Sequence, residues 1–167
     1  QWIYDPTPAF SYGLNIYLEY KNFDLTLFWQ GVQGVDIISD LKKETDLWSG
    51  LNIGFLNKGK RVLDAWSPTN PDSNIPALSR DDINNEKRVS TYFVENGSYL
   101  KLRNLQIGYN VPENFAKKMK MERLRLYLSA QNLLTIKSKN FTGVDPENPN
   151  FGYPIPLNLT FGVNVSF

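Results

Sequence analysis

The chain has 167 residues, 14% of them aromatic, with 18 basic against 17 acidic residues and neither cysteine nor histidine. A net charge of +1 leaves no electrostatic footprint for nucleic acid. Without cysteine there are no disulfides and no thiolate chemistry, and without histidine the commonest general base and metal ligand are gone. Mean hydropathy is negative, and no run of some 18 apolar residues offers a transmembrane helix. Strands that cross a membrane alternate apolar with polar residues, however, and escape such averages.

Residues 11–20 alternate. Tyr12, Leu14, Ile16, Leu18 and Tyr20 share one face, Ser11, Gly13, Asn15 and Glu19 the other, and Tyr17 alone breaks the pattern. This period of two is the mark of a strand. A tight turn at Lys21 and Asn22 leads into residues 23–33, where Phe23, Leu25, Leu27 and Trp29 oppose Asp24, Thr26 and Gln30. Together these segments predict an antiparallel hairpin. Residues 34–97 lose the alternation and are rich in Gly, Pro, Asn and Asp, as in Ser67-Pro68-Thr69-Asn70-Pro71. They read as a long excursion from a rigid scaffold, with a short helix somewhere in 36–57.

A third strand is expected at 98–110. Its phase slips, with Leu100 and Leu102 on one face and Leu105, Ile107 and Tyr109 on the other, which predicts a β-bulge near Arg103 and Asn104. Pro112 suits the first position of a one-turn helix over 113–119. In the fourth strand, 123–134, Leu124, Leu126, Leu128 and Ala130 oppose Arg123, Arg125, Ser129 and Gln131. A second long loop covers 135–155. In the fifth strand, 156–167, Leu157, Leu159, Phe161, Val163, Val165 and Phe167 face away from Asn158, Thr160, Gly162, Asn164 and Ser166.

Strands of this length suit a membrane, since about 9–11 tilted residues cross the hydrocarbon core whereas globular strands average about 5–6. Short connections alternate with long ones, as in an all-β antiparallel transmembrane barrel with short periplasmic turns and long outer loops. Residues 21–22 and 111–122 would then be periplasmic, 34–97 and 135–155 extracellular, and the C-terminus periplasmic. Five strands cannot close a barrel, and open edges in lipid leave backbone groups unpaired. The expectation is therefore one arc, about five strands, of a larger barrel.

Several motifs carry a family resemblance. Asp5-Pro6-Thr7-Pro8-Ala9-Phe10-Ser11-Tyr12-Gly13-Leu14 precedes Tyr20-Lys21-Asn22-Phe23-Asp24-Leu25 and Phe28-Trp29-Gln30-Gly31-Val32-Gln33-Gly34. Further on stand Tyr92-Phe93-Val94-Glu95-Asn96-Gly97-Ser98-Tyr99-Leu100-Lys101-Leu102-Arg103-Asn104, Leu126-Tyr127-Leu128-Ser129-Ala130-Gln131-Asn132-Leu133, Gly143-Val144-Asp145-Pro146-Glu147 and Tyr153-Pro154. In this order they resemble the C-terminal barrel portion of the SusC/RagA family of TonB-dependent outer-membrane receptors. The resemblance covers nearly the whole chain. It implies a 22-stranded barrel around a plug domain, in the outer membrane of a Gram-negative bacterium. It also implies active import of glycans or peptides driven through TonB, and a SusD-like lid lipoprotein. The plug and the TonB-contacting segment of the family have no counterpart in these residues, so the remaining barrel would come from a preceding or separate chain, with outer-membrane lipid around it. Thr160, Gly162, Val165 and Phe167 resemble the C-terminal signal read by the barrel-assembly machinery.

The candidate ligand contacts are aromatics in or beside the outer loops: Trp48, Trp66, Tyr92, Phe93 and Tyr153. They suit stacking on sugar rings or packing against a lid, and the plainer reading is that they hold long loops to one another. The acidic and amide stretches 69–86 and 145–150 offer oxygen ligands for Ca²⁺, but EF-hand spacing is missing and solvated loop is the better reading; no cofactor is expected. Lys101, Arg103, Arg123 and Arg125 suit contact with anionic substrate or lipopolysaccharide, and the better reading places them in a wet interior or at a rim. An enzyme is not expected, because no histidine or cysteine completes a nucleophile–base pair and Asp81 and Asp82 are adjacent rather than facing. Two alternatives stand beside the importer: a soluble carbohydrate-binding β-sandwich, and a non-transporting outer-membrane structural or adhesion protein.

Overall fold

A computed structural model describes residues 3–48, 57–79, 81–82, 85–150 and 152–167. The chain divides into two units. Residues 8–34, 98–138 and 155–167 form a sheet unit, and residues 1–7, 35–97 and 139–154 form a loop unit.

The sheet unit has five antiparallel strands: β1 (Phe10–Tyr20), β2 (Phe23–Gln33), β5 (Tyr99–Asn110), β6 (Arg123–Lys137) and β7 (Asn158–Ser166). Their order is β1-β2-β5-β6-β7, so each strand lies beside its sheet neighbour in sequence. Lys21, at φ +55°, reverses the chain between β1 and β2. The short helix α2 (Glu113–Lys118) follows Pro112 between β5 and β6. The strands run 11, 11, 12, 15 and 9 residues. β6 extends three residues past the expected end at 134, and β7 begins at Asn158 rather than 156.

The register joins the apolar positions into continuous cross-strand rows. Ile16 lies opposite Leu27, Leu27 opposite Leu105, and Leu105 opposite Ala130; Leu25, Ile107, Leu128 and Phe161 form the next row. The bulge preserves these rows. Phe28 and Trp29 are consecutive in β2, but their partners Asn104 and Leu102 flank Arg103, and the matching β6 residues Gln131 and Leu134 enclose two residues. One extra residue per strand thus brings Leu100 and Leu102 onto the same face as Leu105, Ile107 and Tyr109. The reading from alternation alone, which put them on opposite faces, is corrected by this stagger. Asn132, at φ +56°, takes the left-handed conformation that the bulge requires.

The apolar face remains open: Leu14, Leu128 and Phe161 are 53%, 49% and 69% exposed. Aromatic residues mark both ends of it. Phe10 and Tyr12 stand 5.9 Å apart at one end, and Phe23 and Tyr109 4.7 Å apart at the other. A soluble sandwich would bury this face against a second sheet.

The loop unit holds a two-stranded ribbon, β3 (Asp36–Ile38) and β4 (Val94–Asn96), the helix α1 (Asp40–Asp46), and two 3₁₀ turns at Lys60–Asp64 and Thr91–Phe93. Its interior mixes Leu47, Val62, Phe93 and Phe141 with buried Glu44, Asp46 and Glu95.

Candidate functional site

In the loop unit, α1 gathers the surrounding segments through polar contacts. Ser39 caps it, its hydroxyl accepting from the Lys42 N–H at 3.2 Å. A seven-residue helix is too short to stand alone, so its side chains must be held from outside. Lys42 Nζ donates to the Tyr92 carbonyl at 3.0 Å and pairs with Glu95 Oε1 at 3.2 Å. Glu95 also accepts from the Thr142 hydroxyl at 2.7 Å and the Thr142 N–H at 3.0 Å. At the far end of α1, Asp46 is wholly buried and accepts from the Tyr92 hydroxyl at 2.7 Å and Arg61 Nε at 2.5 Å. Asp46 and Glu95 each therefore meet a cation and a hydroxyl, the pairing that burial of a charge demands. Burial, and then the hydrogen bond to Asp46, hold the Tyr92 phenol well above the ordinary tyrosine range.

This arrangement sorts the candidate aromatics. Phe93 is 1% exposed, meets Tyr92 edge-on at 5.1 Å, and lies 5.6 Å from Lys43 Nζ. Its ring belongs to the core of the loop unit. Tyr92 is half-buried, with its hydroxyl committed to Asp46. Trp48, Trp66 and Tyr153 keep open rings, with Tyr153 93% exposed. The oxygen-rich stretches close on themselves: Asp145 Oδ1 accepts from the Glu147 N–H at 3.0 Å and Asp82 Oδ1 from the Glu86 N–H at 2.6 Å.

In the sheet unit the chemistry lies on the polar face. Arg125 on β6 reaches across β5 to Asp24 on β2, with Nη2 to Oδ2 at 2.6 Å and Nε to Oδ1 at 3.2 Å. The crossing requires glycine at 108, where a Cβ would stand 2.4 Å from Asp24 and 2.5 Å from Arg125. Sequence reading placed Arg125 in a wet interior or at a rim but missed its partner, because Asp24 lies 101 residues away in sequence and two strands away in the sheet, with β5 between them. The pair lines a concavity of about 860 Å³ with Tyr17, Arg123, Glu113 and Glu122. Nearer the bulge, Arg103 Nε donates to Gln30 Oε1 at 2.7 Å and Nη1 to Asn132 Oδ1 at 3.3 Å.

On β7, Thr160 lies opposite Ser129, Gly162 opposite Tyr127 and Val165 opposite Leu124. The Tyr127 ring covers Gly162, where a Cβ would stand 2.1 Å from Cζ. Phe167 follows β7 and is exposed.

No family model matches the chain. Among curated proteins it is 39% identical to TonB-dependent receptor P3 of Formosa agariphila over 98% of this chain, and 33% identical to TonB-dependent receptor P26 of the same organism over 97%. Among solved structures it is similar to the RagAB peptide importer in its open-open state, with a TM-score of 0.80 and 28% identity over 96% of this chain. A RagAB peptide transporter structure gives 0.80 and 30% over 97%. The chain spans 17% of the length of those two curated relatives and 17–18% of the solved chains. A sheet of long strands with one open apolar face and one polar face agrees with these matches, and the chain belongs to the TonB-dependent outer-membrane receptors of the SusC/RagA kind.

Proposed function

We propose that this chain is an arc of the barrel wall of an active importer that carries glycans or peptides across the outer membrane. The observation that carries the reading is the unbroken apolar band across five strands, exposed at Leu14, Leu18, Ile107, Leu128, Leu159 and Phe161 and bordered by aromatics. Lipid is the environment in which such a face is stable, and the unpaired sides of β1 and β7 require further strands to complete the sheet. The family's 22-stranded barrel would supply them. The resemblance to peptide importers favours peptides as cargo. Short turns at one end of the sheet and long excursions at the other support a periplasmic C-terminus.

In this reading residues 34–97 and 135–155 are the extracellular loops. Trp48, Trp66 and Tyr153 are the aromatics that meet cargo or a SusD-like lid, while Tyr92 and Phe93 hold the unit together. Thr160, Gly162, Val165 and Phe167 present the assembly signal. Energy would come from TonB through a plug. The test is uptake by cells in which the whole receptor is the only importer of its class. Labelled oligopeptide or oligosaccharide should enter the parent, stop entering when the proton gradient collapses, and enter about tenfold more slowly with Trp48→Ala and Trp66→Ala combined. Uptake that survives deletion of the receptor overturns the importer reading.

A further inference from the structure

We propose that the turn between β5 and β6 is a membrane anchor: Phe115 and Met119 enter the lipid, and Lys118, Lys120 and Lys21 hold anionic phospholipid head groups. The helix α2 lies against β6 and buries Ala116. Its other side chains divide between two sides. Glu113 lines the polar-face concavity, and Lys117, one turn on, pairs with it at 3.0 Å. Phe115 and Met119 are likewise one turn apart, and at about 100° per residue they stand opposite Glu113, on the side of the apolar band. Both are exposed.

The apolar band runs into this turn. At this end of the sheet it closes on Tyr20, Phe23 and Tyr109, successive partners across β1, β2 and β5. Phe167, exposed just past β7, stands at the same end, since Ser166 pairs with Arg123. Charge follows the same division. The acids of the turn, Glu113 and Glu122, both line the polar concavity. Lys118 and Lys120 are exposed, and among the described residues neither pairs with a carboxylate. Lys118 Nζ lies 5.7 Å from the Phe115 ring centre, and Lys21 Nζ 5.2 Å from that of Tyr20. A lysine beside an exposed aromatic suits a membrane interface, with the ring at head-group depth and the ammonium on phosphate.

Strand order says what covers this side. β5 and β6 are flanked by β2 and β7, so strands that complete a barrel join beyond β1 and β7 and extend the sheet away from α2. The inference rests on the barrel-wall reading, in which the outer side of this end meets the periplasmic leaflet. That leaflet is phospholipid, so the occupant is an anionic glycerophospholipid and not lipopolysaccharide.

The test puts the photoreactive residue p-benzoylphenylalanine in place of Met119 in the whole receptor in cells, or in place of Phe115 where the first variant loses its heat-resistant migration. Irradiation should attach glycerophospholipid, with anionic head groups enriched about twofold over their share of the membrane. Lys118→Glu combined with Lys120→Glu should abolish that enrichment, and the probe in place of Lys117 should capture no lipid. Adducts to protein or lipopolysaccharide instead of phospholipid, no lipid adduct at either position, equal capture from position 117, or enrichment that survives the double reversal overturns the anchor. Failure of the barrel-wall reading is separable through the same probe in place of Leu128. Lipid captured there but not at 119 or 115 removes the anchor alone, whereas no lipid captured at 128 removes the barrel wall.

Discussion

At the scale of single residues, Gly162 carries two readings that one double substitution separates. As part of an assembly signal, it would be recognised by other proteins. As a cross-strand socket, it makes room for the Tyr127 ring on the neighbouring strand. Gly162→Ala forces that ring out of place, an overpacking cost of about 1–3 kcal/mol. If the socket dominates, Tyr127→Ser should restore the folded receptor in a Gly162→Ala background, with a coupling that a double-mutant cycle detects in heat-resistant migration. Lack of rescue would leave assembly recognition as the role of Gly162. The same geometry recurs at Gly31 under Tyr12, where a Cβ would stand 2.1 Å from Cζ, and at Gly108 beneath the Asp24–Arg125 pair. None of these partnerships is visible in sequence, because a glycine in an alternating strand states only that a side chain is missing. Which neighbour fills the space depends on register, and register here depends on a bulge.

At the scale of elements, α1 behaves as a peg whose fastenings are polar, and one of them is sensitive to strong alkali. The Tyr92 phenol donates to buried Asp46, and burial together with that bond raises its ionisation above the usual value. A raised folded-state value means that stability from this group is complete below the unfolded tyrosine value, about 10, and is lost as pH rises above it. The loop unit should therefore become more susceptible to subtilisin between about pH 10 and 11, with Tyr92→Phe removing this steepening. A pH response unchanged by Tyr92→Phe would show that other groups control alkaline opening. The strands were readable because alternation is a local signal. The loop unit was not: Lys42 reaches Tyr92 over 50 residues, Tyr92 reaches Asp46 over 46, and Asn150 reaches Asp40 over 110. Short elements joined by single side chains leave no periodicity, so the sequence locates a helix only somewhere within 36–57 and gives no sign of β3 and β4.

At the scale of the molecule, the organising fact is that neighbouring residues on a strand meet opposite environments. Leu128 lies in the row of Ile107 and Phe161, and Ser129 in the row of Gln106 and Thr160. In a barrel wall the first faces hydrocarbon and the second a wet interior. Lysine at a lipid-facing position near the bilayer centre costs about 2–4 kcal/mol, and lumen positions tolerate it. In the whole receptor, Leu128→Lys should sharply reduce the amount of folded barrel in the outer membrane, whereas Ser129→Lys should leave it near the parental level. A soluble domain whose sheet packs on another layer would also be destabilised by Leu128→Lys, but it would fold in water without lipid or detergent. Refolding the parental receptor with and without detergent therefore completes the comparison. Equal loss from both lysine variants would mean that the two faces do not meet different solvents, and the barrel wall inferred from the open apolar band would fail with it.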